Sequence, residues 1–112
     1  MPRPRKPRYV RRLPWADVFV PNRLSPWNAE EVILPIEGFE AIRLSDFEGL
    51  DHETAARMMN VSRQTFGRIL AEARAIVAEA LVMGKILRIE GGNFTMPPFG
   101  RGRHRCRWRG GA

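Results

Sequence analysis

Four residues at the start of one amphipathic segment, Arg63, Gln64, Thr65 and Arg68, have the types and spacing that base-edge recognition needs. Arginine bonds a guanine edge in two places, glutamine does the same with adenine, and threonine offers a hydroxyl and a methyl. Ser62, just before them, is a good helix N-cap, and the N–H groups of a helix start attract phosphate. A second kind of chemistry sits toward the two ends. Arg3, Arg5, Lys6 and Arg8 lie in an opening stretch, MPRPRKPR, that holds no acid. Such a stretch suits sequence-independent attraction to phosphates. The closing RGRHRCRWRGG alternates Arg with Gly, His, Cys and Trp. That composition binds RNA or single strands by charge and stacking, or lies along DNA phosphates.

Other chemistries lack their parts. There is no nucleophile elbow, phosphate loop or carboxylate pair with a supporting base, so the chain is expected not to be an enzyme. His52, between Asp51 and Glu53, reads as a solvated residue near a cap, and Glu30-Glu31 as a solvated charge pair. Cys106 is the single cysteine, with His104 as its close histidine neighbour. A zinc or iron–sulfur site needs three or four ligands, so no metal or other cofactor is expected. A lone thiol makes no internal disulfide, which suits a reducing cytoplasm. No apolar run approaches the roughly 20 residues of a membrane span, and no apolar stretch follows the basic opening as in a secretory signal.

The chain has 112 residues, one domain's worth, and 44% of them are hydrophobic, enough for a modest core. Nineteen Lys and Arg against twelve Asp and Glu leave a net charge of +7, which points to a polyanionic partner. Residues 1–12 carry six positive charges and no acid, and residues 91–112 carry five and no acid. Between them, residues 13–50 hold two positive charges against seven acids, and residues 51–90 hold six against five. Basic ends thus flank a middle that is acidic first and nearly neutral after.

The elements that must position the candidate residues follow from pattern. Prolines 2, 4 and 7 keep the arm 1–12 extended and solvated. Residues 17–20 suit a short strand stopped by Pro21, and 24–28 a loop, with Trp15 and Trp27 covering the core's edge. A helix begins at Pro35. Its apolar stripe is Ile36, Phe39, Ile42, Leu44 and Phe47, Glu37 and Glu40 face its positive N-terminus, and Gly49 ends it. Asp51 caps a second, short helix reaching about Met59, with Ala55, Ala56 and Met59 inward. Asn60 tolerates the positive φ of a tight turn.

The third helix, from Ser62 to Gly84, repeats Phe66, Ile69, Leu70, Ala73, Val77, Ala80 and Leu81 at steps of three and four. Its other face presents Arg63, Gln64, Gly67, Arg68, Ala71 and Arg74; Gly67 permits close approach of a phosphate backbone or of another helix, and the second reading is preferred. A strand over 85–90 follows, and can pair with 17–20 within one chain or between two. The tail 93–112, rich in Gly, Pro and Arg, reads as disordered when free. The expected fold class is mainly α, with short β segments: a basic arm over 1–12, a domain over 13–92 and a flexible tail.

HETAARMMNVSRQTFGRIL has the build of a helix-turn-helix. Ala56 is small where two helices cross, Asn60 makes the turn, Val61 plugs the gap beneath it, and Ser62 caps the helix that faces a groove. The chain resembles a family of uncharacterised prokaryotic proteins described as DNA-binding, with a three-helix unit similar to region four of sigma factors. The resemblance rests on MPRPRK, EAIRLSDFEGL at 40–50, VSRQTFGRIL at 61–70 and LVMGKILRIEGG at 81–92. It implies a cytoplasmic DNA-binding protein acting as a transcriptional regulator. Relatives often carry cysteines soon after the opening motif, where this chain has Pro7 and Arg11.

The expectation is therefore that the helix starting at Ser62 reads the major groove of double-stranded DNA while both arms add attraction. A unit this small usually needs a homodimer for adequate specificity, with the third helix and the strand after it as candidate interface. Two alternatives belong to other classes. One is an RNA-binding or ribonucleoprotein assembly module acting through the Arg-rich tails. The other is an adaptor that grips RNA polymerase through the acidic segment 28–48.

Overall fold

The computed structural model describes residues 6–23 and 30–97. The expectations for Arg3, Arg5, Trp27, His104, Cys106 and the tail beyond 97 fall outside these residues. Strands β1 (Arg8–Tyr9), β2 (Val18–Phe19) and β3 (Glu31–Leu34) come first. Helix α1 (Ile36–Ile42) continues into a π-helical turn over Arg43–Phe47, followed by α2 (His52–Met59) and α3 (Arg63–Met83). Strands β4 (Ile86–Ile89) and β5 (Phe94–Thr95) close the described fold, which is mainly helical with short strands.

The strand expected over 17–20 pairs antiparallel with the one expected over 85–90, through Val18 opposite Arg88 and Phe19 opposite Leu87. A third strand, β3, lies parallel to β4 on its other side, with Leu34 opposite Ile89. Sequence reasoning missed it. Its alternation is nonetheless clear: Leu34 is buried, Ile33 is exposed, and Pro35 ends the run. The arm is not wholly solvated either. Arg8 and Tyr9 pair parallel with Phe94 and Thr95, and Val10 is fully buried. The fold thus uses residues on both sides of the expected 13–92 boundary.

Two apolar clusters meet along α3. Phe66, Ile69 and Leu70 pack with Ala41, Leu44, Ala55, Ala56 and Met59 from the other helices. One turn further, Ala73 joins Val10, Leu34, Ile36 and Ile89 from the strand side. Helix α1 crosses α3 closely at Gly38, where a Cβ would come within 3.0 Å of Leu34 and 3.2 Å of Ala73. That close approach explains a helix-weakening glycine there.

The expected stripe of the first helix fails at its end. Glu48 N–H bonds Arg43 O at 2.8 Å, an i→i+5 step. The wider turn changes the helical phase, and Phe47 is 82% exposed. Glu40, expected to face the positive start of the helix, is fully buried. It accepts from Arg43 Nε at 2.9 Å, Arg43 Nη2 at 2.8 Å and the Arg11 N–H at 3.0 Å. Burial opposes the charge on Arg43, but hydrogen bonds and attraction from Glu40 and Glu48 outweigh it and raise its pKa above the ordinary value. Trp15 is 76% exposed and does not cover the core.

Candidate nucleic-acid interface

The turn between α2 and α3 follows from one residue. Asn60 adopts φ 59° and ψ 44°, the single non-glycine residue with positive φ among those described. Its N–H bonds Arg57 O at 3.1 Å, and the Val61 N–H bonds Ala56 O at 3.0 Å. These are the paired bonds of a Schellman motif, which satisfies the last carbonyls of α2 and reverses the chain. Val61 packs against the cluster that contains Ala56, as its plugging role requires. Each helix then starts with a side-chain cap. Asp51 Oδ1 accepts from the Thr54 N–H at 2.9 Å, and Ser62 Oγ accepts from the Thr65 N–H at 3.0 Å.

The four outward candidates divide. Arg63, Gln64 and Arg68 are exposed, as is Ser62. Thr65 is half-buried, and its Oγ1 accepts from Ser62 Oγ at 3.0 Å, so its hydroxyl belongs to the cap rather than to open solvent. Phe66, between them, is fully buried and fixes the rotation of the helix. His52 corrects the solvated expectation: it is half-buried, and its ring meets Phe66 edge-on, centroids 5.2 Å apart. Gly67 overturns the packing expectation, because a Cβ there would meet nothing within 4 Å. The first turn of α3 holds no acid. The cap satisfies one early N–H, and the other N–H groups of a first turn have no intrahelical acceptor.

Charge is sorted across the fold in a way that the linear sequence hides. Arg74 meets Asp46 at 2.6 Å, Arg88 meets Glu31 at 2.8 Å, and Lys85 lies between Glu79 at 2.5 Å and Glu30 at 3.2 Å. Glu30 and Glu31 are thus ion-paired, not merely solvated. Arg57, Arg63 and Arg68, by contrast, make no ion pair among the described residues. Asp51 feels two of them. Its pKa is lowered chiefly by hydrogen bonds from Thr54, with added attraction from Arg57 and Arg63.

The remaining arm candidates sit elsewhere. Lys6 is exposed, whereas Arg8 is only 6% exposed and its Nη1 donates to Lys6 O at 3.2 Å. Arg8 and Arg68 line the same small cleft beside α3. Among the described residues, no group of three or more His, Cys, Asp or Glu is placed to hold a metal, and no helix is long and apolar enough to cross a membrane.

Fold and surface together define a small, mainly helical domain that turns a capped helix start, rich in unpaired arginine, toward solvent. The chain belongs to the family described as proteins of unknown function DUF134, whose model matches residues 1–97. A UPF0251 protein of Pelotomaculum thermopropionicum is 48% identical over 112 residues, covering 98% of this chain and 85% of that protein. Another, from Caldanaerobacter subterraneus subsp. tengcongensis, is 50% identical over 113 residues, covering 96% of each. No solved structure matches the chain.

Proposed function

We propose that this chain is a sequence-specific DNA-binding protein, a transcriptional regulator whose α2 and α3 act as a helix-turn-helix of the kind found in region four of sigma factors. The observation that carries the proposal is the state of the first two turns of α3. Arg63, Gln64 and Arg68 are exposed and without an ion-pair partner in the described chain, while Ser62 holds the helix start in place. Helix α3 enters the major groove N-terminus first. Arg63 and Gln64 contact base edges, and Arg68 contacts a base edge or a flanking phosphate. Ser62 and the first N–H groups face a phosphate. Thr65 contributes mainly by holding Ser62, with its methyl left for contact. Gly67 lets a nucleic-acid backbone come close without a side chain in the way.

The arm residues Arg3, Arg5, Lys6 and Arg8 add attraction that does not depend on sequence. Arg8, being buried, acts at most locally. The protein works in the cytoplasm as a homodimer. Leu81, Val82 and Met83, at the far end of α3, are 78%, 80% and 64% exposed, and they mark the candidate contact between copies. The polymerase-adaptor alternative has less support. Segment 28–48 directs Glu30, Glu31, Glu40, Asp46 and Glu48 to cations of its own chain, which leaves less charge for a basic partner.

Selection of bound sequences from a random duplex pool tests the proposal. A recovered consensus that disappears with Arg63→Ala and Arg68→Ala supports it, and paired half-sites report the dimer. A pool that stays random, or a stronger preference for structured RNA lost on deleting residues 100–112, overturns it.

A further inference from the structure

Beside the middle of α3 lies a cleft of about 100 Å³ whose walls include Arg8, Glu37, Arg68, Glu72, Gly38 and Ala73. Two features set it apart from an ordinary surface dent. The first is Arg8. The side chain belongs to a residue more than nine-tenths buried, yet it makes no ion pair and one hydrogen bond among the described residues, to Lys6 O. Its Nε is buried with no acceptor among the described residues. Buried donors, charged ones above all, are ordinarily satisfied, so this one lacks a partner. The second feature is charge balance: two arginines and two glutamates line the same cleft. Glu37 Oε1 accepts from the Asn93 N–H at 2.9 Å, while Arg68 and Glu72 have no hydrogen-bond or ion-pair partner among the described residues.

We propose that this cleft binds a compact zwitterion, specifically the ammonium–carboxylate head of an α-amino acid. A bare anion is drawn by Arg8 and Arg68 but repelled by as many carboxylates. A bare cation has the opposite problem. A molecule with both charges close together satisfies both pairs: its carboxylate meets Arg8 and Arg68, and its ammonium meets Glu37 and Glu72. Size agrees. A cavity of about 150 Å³ holds the six heavy atoms of benzene, so about 100 Å³ holds about four, and the open mouth takes the fifth heavy atom of the head group. The side chain of the amino acid points out of the open mouth. Gly38 is part of the wall, at an α1–α3 crossing where a Cβ would crowd Leu34 and Ala73.

This inference does not rest on DNA binding, although Arg68 is shared with the proposed interface, so the test is made without DNA. The full chain is titrated with glycine, then with each α-amino acid, while backbone amide signals of Gly38 and Ala73 are followed by NMR. Acetate, methylammonium and inorganic phosphate serve as singly signed probes. The expected result is a saturable shift with at least one amino acid and binding at least about tenfold weaker for every singly signed probe. Glu72→Gln, at an exposed position, should weaken the amino acid about tenfold or more without unfolding the chain, and Arg8→Gln should do the same if it folds. No saturable shift with any amino acid up to about 10 mM overturns the proposal. So does acetate or phosphate binding as well as the amino acid, or a Glu72→Gln variant that binds unchanged.

Discussion

The corner around Glu40 and the leading turns of α3 both hold arginines beside a helix, yet they treat charge in opposite ways. At the corner, a fully buried carboxylate takes two bonds from Arg43 and one from the Arg11 N–H, so α1, the π-helical turn and the segment after β1 are tied by one side chain. At the start of α3, Arg63 and Arg68 are exposed and make no ion pair among the described residues. Charges of the first kind hold a fold together, because removing either partner strands the other in a low dielectric. Charges of the second kind contribute little to the fold and remain available to an outside polyanion. A chain whose residues 51–90 are almost neutral can therefore still present a basic surface.

The largest effect expected from this contrast is ionic. If six to ten phosphates are neutralised, affinity for duplex DNA should fall about 10³–10⁵-fold between 50 and 200 mM salt. A flat response, measured by fluorescence anisotropy, would show that the unpaired arginines do not meet a polyanion. Point substitutions sharpen the contrast. Glu40→Ala leaves the half-buried Arg43 with Glu48 as its carboxylate partner among the described residues, and should cost about 3–5 kcal/mol of folding stability in urea melts. Arg63→Ala should leave stability within about 0.5 kcal/mol but cost about 1–3 kcal/mol of duplex binding. Equal stability losses from the two substitutions would erase the distinction.

The two regions also differ in how far the amino-acid sequence announced them. Ser62, the three- and four-residue steps from Phe66 to Ala73, and Asn60 are local signals, and each element they imply lies where expected. Leu81 continues the same periodicity but is 78% exposed, because the helix outruns the core that its face packs on. Glu40 reads locally as an acid near a helix start. Its burial depends on Arg11, 29 residues away, and no pattern within a helix reports that. Strand β3 and the pairing of Arg8–Tyr9 with Phe94–Thr95 were hidden for the same reason: short parallel strands take their stability from partners far along the chain. Phe47 was misplaced because a π-helical turn breaks the 3.6-residue phase. The candidate interface was thus more legible than the scaffold behind it. The inward tie of Thr65, the open space at Gly67, the burial of Arg8 and the absence of ion pairs at Arg63 and Arg68 among the described residues needed coordinates.

Gly67 offers a smaller and more discriminating test. Alanine there meets nothing within 4 Å, so Gly67→Ala should stabilise the chain by about 0.5–1 kcal/mol through helix propensity. If a nucleic-acid backbone passes over this turn, the same methyl should weaken binding while the fold gains. Opposite signs in thermal melts and binding titrations locate the contact. A stabilised variant with unchanged affinity would place the DNA away from Gly67.

The smallest expected effect concerns Asp51, which stands between the two regimes: it caps α2 and also feels Arg57 and Arg63. Its carboxyl is held below the ordinary aspartate range, chiefly by hydrogen bonds from Thr54. The folded state therefore binds this proton less readily than the unfolded chain. The stabilisation is fully present above the unfolded pKa of about 4 and is lost as pH falls through the lower folded value. Asp46, lowered by its hydrogen bond to Arg74, acts in the same direction. Asn caps a helix about as well as Asp but does not titrate. Asp51→Asn should therefore keep α2 intact near neutral pH and make the loss of stability below about pH 4 less steep. It also removes a negative charge whose field reaches Arg63, so duplex affinity should rise slightly, by less than about fivefold, as suits a solvent-screened charge. An unchanged acid slope would mean that the cap exists without the charge mattering. A fall in affinity would mean that Asp51 positions Arg63 rather than opposing it.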